Sequence, residues 1–173
     1  RCGPFTFLER LQKLLPTSSQ ISLFVRDGLV NLAKEQYPDM DVNPDEVDDG
    51  VWLLGTAFWN QTDIQMIVSK KDKIFKHGDV TIGAFLSKKD GCDWLERGGP
   101  SSSHIKIDRV SQELASCPVN YLWEIIDKIP RTIGSDSKYF HLGKARKDVE
   151  KDIKILAPEN TFIDESCKLD PSI

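Results

Sequence analysis

The sequence has 173 residues and a formal net charge of −4, with 39% hydrophobic and 29% charged residues. A chain of this length and composition folds as one soluble domain without metal or disulfide links, and it is too apolar for a disordered protein. It lacks the concentrated positive charge that nucleic-acid binding needs, and no apolar run approaches the ~20 residues of a membrane span.

The first residues, Arg1–Pro4, include neither an initiator methionine nor a signal peptide. We therefore expect a processed chain or a domain of a larger protein. The four cysteines have none of the short spacings of zinc or thioredoxin-like sites. They are Cys2, Cys92, Cys117 and Cys167. Two disulfides in a secreted protein and four buried thiols in a reducing compartment both remain open, and we slightly favour the thiols and an intracellular location.

Helical signals dominate the first third of the chain. Phe5–Leu15 has apolar residues at the spacing of one helical face, and Thr17–Gln20 has the pattern of a capping box before a second helix. Asn43–Glu46 combines an Asn cap, a proline and two acids, and so predicts the start of a third helix. The acidic residues of Asp39–Asp49 are then explained by the dipole of that helix.

The longest apolar run, Val51–Trp59, is predicted to be the central helix. Val47, Val51, Leu54 and Phe58 recur at helical spacing. Shorter helices follow, including one that opens at Pro118 and carries Tyr121, Leu122, Ile125 and Ile129 inward. The sequence thus predicts an all-α fold, a compact bundle of about seven or eight short helices. We expect a single helical domain over residues 1–158 and a loosely ordered C-terminal tail over residues 159–173.

The alternative is an α+β fold with a small central antiparallel sheet at residues 51–87. Val51–Asn60 and Ile64–Ser69 are rich in residues that favour strands, and Asn60–Asp63 has the length of a hairpin turn. The apolar residues do not alternate, however, and the capping signals are helical. These two observations favour the helical bundle.

No catalytic motif is evident, and we predict no catalytic residue, no metal site and no cofactor. His77 lies 27 residues before His104, and Gly83–Gly91 lies between them. This arrangement resembles the distal and proximal histidines of globins over less than a quarter of the chain, which would imply a haem. Neither histidine has a metalloprotease partner, and there is no nucleophile elbow or phosphate loop.

Large aromatic residues are the candidates for binding because they anchor many protein interfaces. The candidate residues are Trp52, Phe58, Trp59, Trp94 and Trp123. We predict a non-enzymatic domain that binds another protein through an apolar surface near these side chains. The alternative is a helical carrier of a small apolar ligand, a lipid or, less favoured, haem held by His77 and His104. Asn60 begins a glycosylation sequon that matters only in a secreted protein.

Overall fold

The computed structural model describes residues 2–99, 109–143 and 153–168, and it shows an α+β fold. The predicted all-α bundle is therefore wrong, and the α+β alternative describes the architecture better. The described helices are α1 (Phe7–Leu14), α2 (Val30–Gln36), α3 (Gln61–Ser69), α4 (Lys88–Glu96) and α5 (Glu124–Asp136). The described strands are β1 (Ser22–Leu23), β2 (Asp41–Val42), β3 (Gly50–Leu53), β4 (Ala57–Phe58), β5 (Ile74–His77), β6 (Val80–Leu86), β7 (Ser111–Glu113) and β8 (Cys117–Pro118).

The chain divides into two compact units. The larger unit spans Phe5–Glu124, and the smaller unit consists of Arg1–Pro4 together with Ile125–Ile173. Within the smaller unit the buried Cys2 thiol donates a hydrogen bond of 3.6 Å to the Thr132 hydroxyl. The expected boundary at residue 158 stays a prediction.

A four-stranded mixed sheet organises the larger unit. Its strand order is β3-β6-β5-β7; β6 is antiparallel to both of its neighbours, and β7 is parallel to β5. Two separate pairs accompany it, the parallel pair β1–β2 and the antiparallel pair β4–β8. None of the helices in the described ranges has the length and apolar character needed to cross a membrane.

The main core lies between the sheet and two helices. Ile64 and Ile67 of α3 cluster with Trp59 and Phe75, and leucines of α1 pack against that cluster. The helix predicted at Phe5–Leu15 is confirmed as α1, and a reciprocal capping box between Thr6 and Glu9 fixes its first turn.

The Val51–Trp59 run forms two strands and a turn rather than a helix. All four residues of β3 are partly buried, because Val51 and Leu53 pack against the main core while the Trp52 ring lies beside Gly91 of α4. A strand covered on both faces has no alternation of polar and apolar residues, so its sequence pattern resembles that of a buried helix.

The predicted helix start at Asn43 is also wrong. Asn43 has a left-handed backbone with φ of 48°, and its amide oxygen accepts a 2.8 Å hydrogen bond from the Val25 N–H while its amide nitrogen donates one of 2.8 Å to the Val25 carbonyl. Asparagine adopts this backbone more readily than most residues. The side chain fixes the loop to the segment after β1 instead of capping a helix.

Two later segments that the all-α prediction assigned to helices are strands. Ile74–His77 and Val80–Leu86 form the hairpin β5–β6, and Gly78, with φ of 57°, is in the two-residue turn between them. A glycine with positive φ terminates helices and also forms tight hairpin turns, so the local signal fits both structures. The pairing of β6 with both β3 and β5 decides between them.

Candidate functional site

Three consecutive large apolar side chains are exposed just before α5, and we call them the aromatic turn. Tyr121 is 55% exposed, Leu122 81% and Trp123 64%. The rings of Tyr121 and Trp123 stack with centroids 4.5 Å apart and an interplanar angle of 7°. Exposed apolar side chains that adjoin one another differ from single scattered ones, because a contiguous apolar patch is typical of a binding surface.

Backbone hydrogen bonds hold the aromatic turn at both ends. Before it, β8 pairs with β4, and the Val119 N–H donates a hydrogen bond of 3.0 Å to the Thr56 carbonyl. After it, the Glu124 N–H donates a hydrogen bond of 3.1 Å to the Tyr121 carbonyl. The Glu124 carboxylate accepts a hydrogen bond of 2.9 Å from the Asn120 N–H. The turn is thus pre-organised, which lowers the entropic cost of binding.

The sequence prediction placed Tyr121 and Leu122 on the inward face of a helix, and this is wrong because α5 begins only at Glu124. A signal was present in the pattern. Tyr121, Leu122 and Trp123 are adjacent in sequence, and adjacent helical residues point about 100° apart, so one buried helical face does not cover all three.

Two of the predicted binding aromatics belong to the fold itself. Trp59 is 7% exposed, and its indole N–H donates a hydrogen bond of 3.1 Å to the Leu54 carbonyl. Phe58 lies against the Phe7 ring at 4.8 Å between centroids, with the Arg10 guanidinium 5.6 Å from the Phe58 ring centroid. These contacts cover Phe58 from α1.

The structure brings Trp52 and Trp94 together. Their ring centroids are 4.9 Å apart, and the Phe24 ring lies 4.8 Å from Trp52 and 5.8 Å from Trp94. All three rings are half-buried. The predicted aromatic residues therefore lie in different environments, and Trp123 has the most exposed side chain among them.

A shallow depression of about 390 Å³ lies beside β2, and we call it the Tyr37 depression. Polar and apolar atoms contribute comparably to its surface, and Lys34 and Asp41 are the two charged residues of its lining. The apolar lining residues are Tyr37, Pro38, Met40, Val42 and Pro44. Sequence reasoning missed this site, because its residues lie on both sides of the predicted helix start at Asn43 and were not expected to meet.

The segment that contributes most of this lining is acidic. Residues 39–49 hold six aspartates and glutamates, all exposed, and no lysine, arginine or histidine. Lys88 lies 3.3 Å from Glu46 and 4.0 Å from Asp48. The hydrogen bond that Lys88 donates to the Glu46 carboxylate, together with the charges of Glu46 and Asp48, raises the pKa of Lys88 above its ordinary value.

The structure describes one of the two histidines of the globin-like spacing. His77 is in β5, where its Nδ1 lies 3.2 Å from the Leu114 carbonyl and 3.9 Å from a Glu113 carboxylate oxygen. His104 lies outside the described residues. Within residues 2–99, 109–143 and 153–168, no group of three or more His, Cys, Asp or Glu is arranged to hold a metal ion.

The sequon residue Asn60 has a structural role at the start of α3. Its amide oxygen caps the helix by accepting a hydrogen bond of 2.9 Å from the Asp63 N–H. Its amide nitrogen donates hydrogen bonds of 2.7 Å to the Asp63 carboxylate and 3.2 Å to the Ser116 hydroxyl. Asp63 is 5% exposed and also accepts a 2.6 Å hydrogen bond from the Ser116 N–H. A glycan on this nitrogen would replace one of its two donor hydrogens. Glycosylation of Asn60 stays a prediction.

All four cysteines are thiols in the structure. Cys2 is buried, Cys92 and Cys117 are half-buried, and Cys167 is exposed. Their burial differs widely, so the expectation of four buried thiols describes Cys2 alone.

No protein-family model, curated protein or solved structure matches this chain.

Proposed function

We propose that this domain binds a partner protein through the aromatic turn. The observation that carries the proposal is the stacked pair of Tyr121 and Trp123, exposed on a turn that is held at both ends. Tyrosine and tryptophan are enriched among the residues that contribute most to protein binding. A rigid turn that already presents them loses little conformational entropy when a partner covers it.

The first experiment is site-specific photo-crosslinking. A photoreactive amino acid replaces Leu122 in one protein and Val68 in a matched control, since Val68 is also exposed at 51% but lies on α3. The expected result is a specific adduct from position 122 alone, in the native source of the protein. Equal adducts from both positions would argue against the aromatic turn.

The second step uses the purified partner identified by that adduct. Trp123→Ala should weaken its affinity by about thirtyfold or more, the loss typical of a residue that dominates an interface. Val68→Ala is the control and should change the affinity by less than about twofold. An unchanged affinity for the Trp123→Ala protein, with its fold intact by circular dichroism, would contradict the proposal.

A second candidate function is the binding of a small ligand, and the Tyr37 depression supports it. Its volume of about 390 Å³ lies in the range of ligand pockets. A carrier that holds its ligand between helices does not fit the α+β fold, so this candidate places the ligand in the Tyr37 depression. Native mass spectrometry of protein from its natural source tests the ligand: a bound mass that Tyr37→Ala abolishes supports this function, and the bare chain mass contradicts it.

A further inference from the structure

The Tyr37 depression places apolar side chains next to acidic residues, and Lys34 is the basic residue of its lining. Asp41 lines the depression, and Asp39 and Asp45 flank its residues Pro38 and Pro44 in the chain. A surface of this kind is complementary to an apolar side chain that has positive charges next to it.

The fold gives the acidic segment no helix to stabilise it. The sequence prediction assigned these acids to a helix N-terminus, but residues 43–49 contain no helix. Lys88 offsets part of the charge through Glu46 and Asp48. The remaining like charges repel one another, and the binding of a cation relieves that repulsion.

β2 provides a reason to expect an extended partner. Both of its residues, Asp41 and Val42, line the depression. Among the described residues β2 pairs with a strand on one side only, where β1 runs parallel to it. A strand edge that has no partner strand is a template to which an extended peptide adds as a further strand.

We propose that the Tyr37 depression binds an extended, basic segment of another protein, with an apolar side chain in the depression and lysine or arginine residues facing the acids of residues 39–49. This proposal goes beyond the aromatic turn and does not rest on it.

Fluorescent eight-residue peptides test the chemistry on the full chain by anisotropy. The probe is four repeats of Lys-Val, and the controls are four repeats of Glu-Val and four of Lys-Gly. We expect the Lys-Val peptide to bind in a salt-dependent manner and the Glu-Val peptide not to bind. The Lys-Gly peptide should bind at least about tenfold more weakly, because it lacks the apolar side chains. Equal binding of the Lys-Val and Glu-Val peptides would overturn the proposal.

Two variants place the binding on the structure. Asp41→Asn removes one exposed charge and keeps the shape, and it should weaken Lys-Val binding by about two- to fivefold. Asp79→Asn, an exposed acid in the β5–β6 turn, is the matched control and should leave binding unchanged. Equal effects of the two variants would show general charge attraction and overturn the site.

A competition experiment separates a protein segment from a small ligand. Unlabelled Lys-Val peptide should displace the probe, and arginine methyl ester at the same concentration should not. Displacement by the ester as strong as that by the peptide would overturn the extended segment and assign the depression to small cations.

Discussion

Arg109 is a single side chain that connects three segments of the larger unit. Its guanidinium donates three hydrogen bonds, of 2.7 Å to the Phe85 carbonyl, 3.0 Å to the Lys71 carbonyl and 2.7 Å to the Asp90 carboxylate. The side chain is only 22% exposed, so these charge-assisted bonds are partly shielded from water. The planar guanidinium group of arginine carries several N–H donors in a fixed geometry, so it can bond to all three acceptors at the same time.

We expect Arg109→Ala to lower the free energy of unfolding by about 1.5–3 kcal/mol, because it leaves these acceptors without their charged donor. Arg109→Lys should cause an intermediate loss, since one ammonium does not reproduce the fork. Urea denaturation measures both. Arg26→Ala is the control, because Arg26 is exposed. A loss at Arg109 no larger than that at Arg26 would refute this role.

The residue scale also shows where sequence reasoning fails. Asn43, Pro44 and two acids form a good helix-start signal, yet Asn43 bonds to Val25, which lies 18 positions earlier. Capping preferences describe what a residue does with its near neighbours in sequence. They contain no information about a distant backbone that offers the same side chain better hydrogen bonds.

At the scale of elements, β6 is the strand around which the larger unit is built. Gly83 lies at its middle, where a Cβ would meet Ile67 Cδ1 at 2.7 Å, Trp59 Cη2 at 3.2 Å and the Trp52 carbonyl oxygen at 3.3 Å. The absence of a side chain lets α3 and the Trp59 ring approach the sheet. In a close-packed core such a space is shaped to glycine alone.

Gly83→Ala should therefore lower the free energy of unfolding by about 1–3 kcal/mol, the usual cost of overpacking a core. Gly28→Ala is the matched control, because a Cβ there meets no heavy atom within 4 Å. It should stay within about 1 kcal/mol of the parent protein. Thermal unfolding of both variants tests this prediction. Similar melting temperatures would show that the core accommodates a Cβ at Gly83 without a loss of stability.

Element type could be predicted only where local signals act alone. α1 was predicted because its apolar face and the stop signal at Pro16 agree, and both signals lie within or next to the element. β3 and β6 were not predicted as strands, because the hydrogen bonds between the two segments determine their structure. Val51 pairs with Phe85, and Trp52 pairs with Ala84. Pairing between residues more than 30 positions apart leaves little trace in a local pattern.

On the scale of the whole molecule, the four thiols differ in their access to solvent. Cys167 is exposed, Cys92 and Cys117 are half-buried, and Cys2 is fully buried in the smaller unit. Access to a reagent controls the rate at which a native thiol reacts.

We predict that a thiol reagent modifies Cys167 first and Cys2 last, with Cys2 reacting only when its surroundings open. Pulsed alkylation followed by peptide mass spectrometry gives the four rates separately. In concentrated urea all four should react at similar rates, which serves as the control. Modification of native Cys2 as fast as Cys167 would contradict the burial of the N-terminal segment.

Whole-molecule function was the least predictable level. Trp123 was named as a binding residue together with four other aromatics, and the prediction did not rank them. Exposure depends on what the rest of the chain places beside each ring: Phe7 covers Phe58, while Trp123 stacks on Tyr121 and stays 64% exposed. The acids of residues 39–49 were visible as a cluster, but their relation to a depression required the fold.

The β4–β8 pair has a consequence for the synthesis of the protein. Ala57 pairs with Pro118, which is 61 residues further along the chain. At the usual elongation rate of about 5–20 residues per second, Pro118 is made roughly 3–12 seconds after Ala57. During that interval β4 lacks its partner strand. This part of the sheet structure is therefore completed only after Pro118 has been made, late in the synthesis of the larger unit.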